Sequence, residues 1–364
     1  MFVTVTFDAN NGSDAQARSV VYGQTVAMPE EPTREGFTFG GWQLDGADYD
    51  FDTAVTGDIT LTAVWEELQN VTINGVSGSF NDRIKLNFYF GIPSAVLADE
   101  AAYVTLTNEA TGKATTILVK NANYVEDKGY KFSILLAAKE ASDAVTAKVF
   151  DGEGNVLTII GKTSGADYTE TGVEYTLMQY FTWLETKGSD ANEKAVGAAA
   201  KDYCSAAQIY FDYNAVGVSV SSMVDAVTTD KLSGYAAGRS GTLPTGVTVR
   251  GITAMLESDN TIRIYLGFKD VDSGSFTYAI DDNPVALQTR SDGTTYLALD
   301  EGVWSNRLQV AHAYSVSDGT NTYTISASVL TYARSVAIKS AERDTKLGKS
   351  LYLYNKAAVA AFGG

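Results

Sequence analysis

The stretch Gly197–Phe211, GAAAKDYCSAAQIYF, returns near the end of the chain as Gly348–Phe362, GKSLYLYNKAAVAAF. In both stretches the apolar residues recur every three or four positions, which is typical of an amphipathic helix with one face to bury. We predict that the residues ahead of each copy form a β-sheet layer that covers this face. Five identities share one offset, 348 − 197 = 151, and therefore indicate an internal duplication: Gly197/Gly348, Tyr203/Tyr354, Ala206/Ala357, Ala207/Ala358 and Phe211/Phe362.

The composition is that of an acidic globular protein. The 364 residues are enough for two or three domains, and 45% of them are hydrophobic. Asp and Glu total 44 against 27 Lys and Arg, and the net charge of −17 repels nucleic acid and anionic lipid. No apolar run approaches the ~20 residues that span a bilayer, and no leader precedes the first predicted strand. We expect a soluble extracellular chain, secreted or cell-wall-associated in a bacterium, cut from a longer precursor that carries the signal and the anchor.

Residues 1–66 alternate apolar and polar side chains in short runs between turns, which predicts half-buried strands. The motif in them consists of Val5-Thr6-Phe7-Asp8-Ala9-Asn10, Tyr22-Gly23, Pro29, Pro32-Thr33, Gly36-Phe37-Thr38-Phe39, Gly41-Trp42, Phe51-Asp52, and Ile59-Thr60-Leu61 with Ala63 and Trp65. These residues resemble the internalin-B-type repeat, also called the Listeria–Bacteroides repeat. The resemblance implies a small β-grasp-like module of bacterial surface and secreted proteins, used as a stalk, a spacer or a contact surface. Trp42 and Trp65 are sugar-stacking platforms or, as so small a core favours, its filling.

Residues 67–214 are predicted to form a β-sandwich-like sheet layer followed by a helical hairpin. The segment Asp151–Asn155 has carboxylates at alternate positions, as a calcium loop has, but no bidentate Glu follows and a plain turn is favoured. The hairpin consists of a helix over Met178–Thr186 and a second helix that starts at the capping box of Asp190 and Glu193. The predicted strands are Val71–Val76, Ile84–Phe90, Tyr103–Thr107, Thr116–Val119, Lys131–Leu136 and Ala144–Phe150.

Aromatic side chains crowd onto this predicted hairpin. Aromatic stripes at helical spacing usually face a core, and that interpretation is favoured for Phe181, Tyr203 and Phe211. Trp183 and Tyr213 lie near helix ends. These two therefore remain candidates for ligand binding.

Residues 215–245 are small and polar and are predicted to be a linker between the repeats, with one short helix at Met223–Val227. Residues 246–364 then repeat the sheet-plus-hairpin scheme. Val247–Gly251 echoes Val71–Gly75.

A second echo places Tyr323-Thr324-Ile325 opposite Tyr175-Thr176-Leu177, at an offset of 323 − 175 = 148. The second hairpin is predicted as Ser328–Ile338 with Leu347–Phe362, and the sheet as Phe276–Ile280, Thr295–Leu299, Leu308–Tyr314 and Asn321–Ile325. The repeated unit resembles duplicated, uncharacterised domains of secreted and surface proteins of gut Clostridia-type bacteria, which assigns no functional residue. The predicted fold class is multidomain α+β and β-rich: a β-grasp-like module followed by two related β-sandwich-like domains, each with a C-terminal helical hairpin.

Most catalytic chemistry lacks its residues here. His312, the only histidine, lies in a predicted strand without a nucleophile-elbow motif, and Cys204 is interpreted as a small packing residue of its helix. One Cys and one His do not make a zinc site, and no Gly-rich phosphate loop opens a helix. Nothing singles out a carboxylate pair for glycoside hydrolysis among the predicted loop acids Asp270-Val271-Asp272, Asp281-Asp282 and Asp300-Glu301. No catalytic residue, metal or cofactor is predicted.

The leading hypothesis is a non-enzymatic, modular surface protein: a spacer followed by two domains whose loops adhere to a host or cell-surface glycan or protein. Trp304 is the first candidate contact because it follows Asp300-Glu301-Gly302 in a predicted loop, although packing in a satellite core explains it equally well. The alternatives are an accessory or catalytic region of a secreted polysaccharide-degrading enzyme, and a purely structural stalk. The sequence leaves the oligomeric state open.

Overall fold

The computed structural model describes every residue except 35–36, 68–69, 80–83, 164–165, 257–260, 300–301, 340 and 364, and gives only the backbone of 67, 162–163 and 166–168. The N-terminal module is a sheet of β1 Phe2–Asp8, β2 Gln16–Val21, β3 Phe37–Leu44, β4 Ala47–Asp48 and β5 Ile59–Glu67. The strand order is β2-β1-β5-β3-β4, with β1 and β5 parallel. The described part of this module holds no helix, so its β-grasp-like character stays a prediction.

Tryptophans of the module fill its interior. Trp42 is buried and meets the Phe7 ring edge-on, with 5.1 Å between the ring centroids. Trp65 is half-buried, and its indole N–H donates to the Ala9 carbonyl at 2.8 Å. Both indoles therefore belong to the aromatic core, the interpretation that the size of the module favours.

Two sheets build the first repeat. Their strands are β6 Val71–Ser79, β7 Lys85–Gly91, β8 Tyr103–Asn108, β9 Ala114–Leu118, β10 Asn123–Val125, β11 Gly129–Leu135, β12 Val145–Phe150, β13 Ile159–Thr163, β14 Ala166–Glu170 and β15 Val173–Tyr175. The sheets have the orders β10-β11-β7-β6-β13-β14 and β15-β12-β8-β9. All six predicted strands are present. The segment after β12 is a turn, because the Asp151 carboxylate accepts hydrogen bonds from the backbone N–H groups of Glu153 and Asn155.

Two sheets also build the second repeat. Their strands are β16 Gly238–Gly241, β17 Val247–Met255, β18 Thr261–Phe268, β19 Thr277–Ile280, β20 Asn283–Pro284, β21 Gln288–Thr289, β22 Thr295–Ala298, β23 His312–Ser317 and β24 Thr322–Ala327. The orders are β17-β18-β22-β21 and β16-β24-β23-β19-β20.

The segment 215–245 is more than the predicted linker. Its strand β16 pairs with β24, and Val224 and Leu232 are fully buried. A Gly-Arg-Ser-Gly strand joins a sheet through backbone hydrogen bonds alone, and for that reason leaves no apolar pattern in the sequence. The structure corrects the prediction and places this segment in the second repeat.

Helices form a layer between the repeats. They are α1 Ser94–Ala98, α2 Leu177–Lys187, α3 Ala191–Phe211, α4 Ser222–Asp225, α5 Val329–Ala337 and α6 Glu342–Phe362, with 3₁₀ turns at Val119–Asn121, Ala138–Glu140, Thr229–Tyr235, Ser273–Ser275 and Ser305–Arg307. Helix α3 packs on α6, where Tyr203 and Tyr354 stack with 5.2 Å between ring centroids. Both tyrosines are buried. The two hairpins thus cover one another as well as their own sheets.

The duplication extends to irregular features of the strands. A β-bulge lies between Ile73 and Gly75 in β6 and between Val249 and Gly251 in β17, at an offset of 249 − 73 = 251 − 75 = 176. The order β11-β7-β6 in the first repeat matches β22-β18-β17 in the second, and β15-β12-β8 matches β24-β23-β19. A bulge is a specific backbone feature, so its repetition indicates the same folding unit made twice.

The echo predicted at an offset of 148 is wrong. Thr176 is the N-cap of α2, with a side chain that accepts from the Gln179 N–H, whereas Thr324 lies inside β24. The counterpart of Thr176 is Ser328, which caps α5 in the same way at 328 − 176 = 152. The helix caps show which residues of the two repeats correspond. Two tripeptides of similar polarity do not reveal which of their residues caps a helix.

One hydrophobic cluster runs through both sandwiches and the helical layer. The N-terminal module has a separate cluster of its own, built around Val5, Phe7, Trp42 and Leu61. The two repeats therefore share a core, and the module contributes nothing to it.

Candidate ligand-binding site

An exposed indole stands at the start of the 3₁₀ turn Ser305–Arg307. Trp304 is the N-cap of this turn, and 47% of its surface is exposed. The Arg307 N–H closes the turn on the Trp304 carbonyl at 2.8 Å, and its guanidinium carbon lies 5.8 Å from the centroid of the indole. One face of a large aromatic ring is thus presented beside a cation.

Helix α6 and helix α5 hold this turn in place. The Asn355 amide of α6 donates to the Ser305 carbonyl at 2.8 Å and to the Gln309 side-chain oxygen at 2.7 Å. The Leu330 N–H of α5 donates to the carbonyl of Leu308, which is fully buried. Because these are buried contacts between elements, Trp304 sits on a fixed support rather than on a free loop.

His312, the first residue of β23, is oriented by a carboxylate. Its Nδ1 lies 2.6 Å from Asp281 Oδ2, and Asp281 Oδ1 accepts the Ala313 N–H at 2.7 Å. An ionised carboxylate only accepts, so Nδ1 carries the proton and Nε2 remains for another partner. Burial raises the pKa of the Asp281 carboxyl, but the hydrogen bonds from Ala313 and His312 outweigh it and leave the pKa below its usual value.

These groups enclose a cavity of about 280 Å³. Its lining residues are Leu299, Gly302, Val303, Trp304, Arg307, Val310 and His312. An indole face takes the apolar face of a sugar ring or another planar group, and a guanidinium donates to its oxygens. The described lining residues offer an indole, a guanidinium and an imidazole as binding groups and include neither a hydroxyl nucleophile nor a carboxylate.

Trp183 lies elsewhere, on α2. It is half exposed and stacks on Tyr180, with 5.9 Å between centroids and 21° between planes. With Tyr175, Met178 and Thr182 it borders an open depression of about 880 Å³. The counterpart of Trp183 in the second repeat, at the offset of 152, is Ser335, so this aromatic shelf is not duplicated.

Tyr213 has its hydroxyl engaged inside the protein. The phenol donates to Asp143 Oδ2 at 2.7 Å, and Lys139 lies 5.6 Å from its ring. Burial and the neighbouring Asp143 carboxylate raise the pKa of Tyr213. This contact fastens the end of α3 to the turn at Ala138–Glu140. Trp304 and Trp183 border different cavities, and Tyr213 lines neither of these two.

The predicted loop acids are mainly structural. Asp270 and Asp282 occupy turns with positive φ, and Asp272 caps the turn Ser273–Ser275. Asp300 and Glu301 lie outside the described residues. Within the described ranges, no three His, Cys, Asp or Glu side chains approach closely enough to hold a metal ion.

Sequence reasoning located Trp304 but missed Arg307 and the pairing of His312 with Asp281. Asp281 and His312 are 31 residues apart and meet only because β19 and β23 are neighbours. No sequence signal announces that pairing. Trp304 and Arg307, by contrast, are only three positions apart in the sequence and could have been considered together.

Fold and site together define a modular protein of β-sheet units with an aromatic, cationic pocket on the last of them. Residues 4–64 match the family model of the Listeria-Bacteroides repeat domain, and the N-terminal module is that repeat. A protein of Evansella cellulosilytica named "Putative Gly-rich membrane protein" is 34% identical over 90 residues, 23% of this chain and 10% of that protein. A second, named "Putative membrane protein" in the same organism, is 37% identical over 67 residues, 17% and 10%.

The chain spans about a tenth of the length of these curated relatives. Among solved structures, the FN1–FN3 domains of chicken CNTN1 are 10% identical, over 76% of this chain and 72% of that one, with a TM-score of 0.18, too low to indicate a shared fold. Of the helices in the described ranges, none combines the length and the hydropathy that crossing a bilayer demands.

Proposed function

We propose that this chain is the extracellular part of a bacterial surface protein that binds carbohydrate through the Trp304 pocket and does not cleave it. The observation that carries the proposal is an exposed indole held by buried hydrogen bonds beside Arg307 and His312. An indole that only filled a core would be shielded from solvent. An indole on a mobile loop would lose more conformational entropy on binding a ligand than the supported Trp304 does.

The surface location rests on the N-terminal repeat, on the names of the two relatives, and on the net charge of −17, which keeps a displayed protein soluble. In this proposal the β-grasp-like module is a spacer, and the two fused repeats carry the binding surface. The proposed role of this surface is adhesion to glycans of a host or of a cell surface.

The chemistry of the pocket favours a pyranose with an acceptor oxygen. The indole packs on the apolar ring face, the Arg307 guanidinium donates to an oxygen, and His312 Nε2 accepts from a hydroxyl or, when protonated, donates to one. Asp281 fixes the imidazole so that this nitrogen is the free one. Binding without turnover is part of the proposal, and it is supported by the indole, guanidinium and imidazole groups of the described lining.

A glycan array with the whole chain tests the proposal. W304A should lose binding to the captured glycans, whereas W183A, which removes an equally exposed indole from the other repeat, should retain it. If W183A loses glycan binding and W304A retains it, the binding site lies on α2 and the proposal for the Trp304 pocket is wrong.

The two alternatives have their own readouts. Release of reducing sugar from any polysaccharide would overturn the non-enzyme proposal and favour a part of a degrading enzyme. If the chain binds no glycan on the array and small-angle scattering shows a rigid, extended particle, the protein is a structural stalk.

A further inference from the structure

The outer face of the sheet β17-β18-β22-β21 carries three arginines around two tyrosines. In β18, Ile262, Ile264 and Leu266 are buried in the core, so Arg263 and Tyr265 point to the opposite face. Tyr296 of β22 lies directly across from Tyr265. Arg250 and Arg290 are exposed. This set, Arg250, Arg263, Arg290, Tyr265 and Tyr296, is called the arginine–tyrosine face below.

Its members touch one another. The Arg263 guanidinium carbon lies 4.4 Å from the centroid of the Tyr296 ring, and the Tyr265 and Tyr296 centroids are 5.7 Å apart. Burial raises the pKa of Tyr265, but hydrogen bonds from Arg263, Thr253 and Arg290 outweigh it and lower the pKa overall. The Tyr265 hydroxyl is therefore a point on which the Arg263 and Arg290 guanidinium groups converge.

Positive charge on this face is only partly offset by the described residues. None of its three arginines forms an ion pair within the described ranges, and Arg263 Nε, which is shielded from solvent, has no hydrogen-bond partner there. Asp292 is near enough to Arg290 for that charge to help lower the pKa of Asp292. In a chain of net charge −17, such a face is a local exception.

The first repeat shows that the fold does not require these arginines. At the offset of 176, Thr248, Tyr265 and Gly267 correspond to the same residue types, Thr72, Tyr89 and Gly91, whereas Arg250 and Arg263 correspond to Asn74 and Asn87. In both repeats the side chain at the bulge lies against the glycine, Arg250 on Gly267 and Asn74 on Gly91. The two repeats therefore share the backbone framework of these strands, whereas only the second repeat has the positive charges of Arg250 and Arg263.

The amides of the first repeat are satisfied internally. Asn87 donates to the hydroxyls of Ser77 at 3.1 Å and Ser79 at 2.8 Å, and its oxygen accepts from Ser133 at 2.7 Å. A closed neutral network thus fills the place that Arg263 takes in the second repeat. The first repeat thus shows that a neutral side chain at this position satisfies the fold, and the guanidinium charge of Arg263 is an addition of the second repeat.

We propose that the arginine–tyrosine face binds a saccharide that carries carboxylate or sulfate groups. Guanidinium groups bind such anions with two parallel hydrogen bonds, and the partly exposed ring of Tyr265 packs against the sugar that carries them, while the buried Tyr296 supports Arg263 from below. This is a second site, built from residues that do not line the Trp304 pocket, and it selects for charge.

Binding of the full chain to four probes tests it: dextran sulfate, oligogalacturonate, uncharged dextran and an oligothymidylate of similar length. The R250N/R263N double variant carries the residues that the first repeat has at the same positions, and R290Q removes an exposed charge without touching the core. R239Q, on β16 of the other sheet, is the matched control.

We expect dextran sulfate or oligogalacturonate to bind and uncharged dextran not to, and which of the two binds identifies the anion. R250N/R263N and R290Q should each weaken that binding about tenfold or more, as the loss of charge-assisted hydrogen bonds does. R239Q should stay within about twofold, and W304A should retain the binding, which separates this site from the proposed pocket.

Three results would overturn the proposal: no binding of either anionic saccharide, unchanged binding by R290Q and by a folded R250N/R263N, or oligothymidylate binding of equal strength. The last would point to a nucleic acid or to an unselective polyanion surface.

Discussion

Gly197 and Gly348 occupy the place where the second helix of each hairpin crosses the first. A Cβ at Gly197 would lie 2.5 Å from the Glu185 nitrogen and 2.9 Å from the Phe181 carbonyl oxygen. A Cβ at Gly348 would meet the Ala333 carbonyl and lie 2.7 Å from the Ala337 Cβ. The partners correspond at the offset of 152, since 333 − 181 = 337 − 185. Glycine is present in both copies because the backbones touch there.

Gly348→Ala tests this close approach. The added methyl group forces α6 away from α5, and overpacking of this kind costs about 1–3 kcal/mol in the free energy of unfolding. Gly234→Ala is the control, since nothing lies within 4 Å of a Cβ there. Urea unfolding followed by near-ultraviolet circular dichroism should show a lower midpoint for G348A alone. Equal midpoints for the two variants would mean that the helix crossing tolerates a side chain.

At the scale of the element, Asp281 fastens the turn between β19 and β20 to the start of β23. Its carboxylate binds the Ala313 N–H and His312, and its own N–H donates to the Ala313 carbonyl at 2.9 Å. The folded-state pKa of Asp281 is lowered. The ionised carboxylate therefore stabilises the fold above the unfolded pKa of about 3.9, and this contribution is lost as the pH falls through the lower folded value.

Asp281→Asn should remove that pH dependence. The variant should unfold at a lower temperature than the native chain at neutral pH, and the difference should shrink as the pH falls below about 4. Asn tolerates the φ of 50° at this position, so the backbone is not strained. Asp282→Asn, at a φ of 64°, is the matched control and should show no such convergence. A native-to-D281N difference that stays constant down to pH 2.5 would contradict the assignment.

Elements with a strong local signal were predictable from the sequence. The hairpin helices follow from apolar spacing and, for α3, from the capping residues Asp190 and Glu193, and six strands of the first repeat follow from apolar runs. Strands β10 and β15 are only three residues long, and β16 has no apolar pattern, so these elements form through their neighbours. The same holds for the candidate site: the exposed position of Trp304 could be predicted, whereas the pairing of His312 with Asp281 depends on tertiary contact.

At the scale of the whole molecule, the two repeats share one core and the N-terminal module has its own. The sequence predicted two sheet-plus-helix domains in series, because a duplication says nothing about how its copies meet. The two repeats contact each other through α3 and α6. Small residues on these helices, such as Ala206 and Ala207 on α3, leave room for the stacked rings of Tyr203 and Tyr354. Neither repeat can unfold without exposing the buried helix of the other.

Hydrogen exchange in a urea titration should therefore reveal two cooperative units. Peptides from α3 and α6 should open at one midpoint, and peptides from β1 and β5 at another. Tyr354→Ala should lower the midpoint of both helices together, by about 3–5 kcal/mol in the free energy of opening, without affecting β1 and β5. Separate midpoints for α3 and α6 would contradict a shared core.

The contact of Tyr203 with Tyr354 joins a position to its own duplicate. Such self-matching is what a two-fold axis produces when identical subunits associate through the same patch. The two halves of this chain therefore meet as the subunits of a symmetric homodimer do, although they are joined covalently. Only the contact is symmetric, because one half carries an aromatic shelf and the other an arginine-rich sheet.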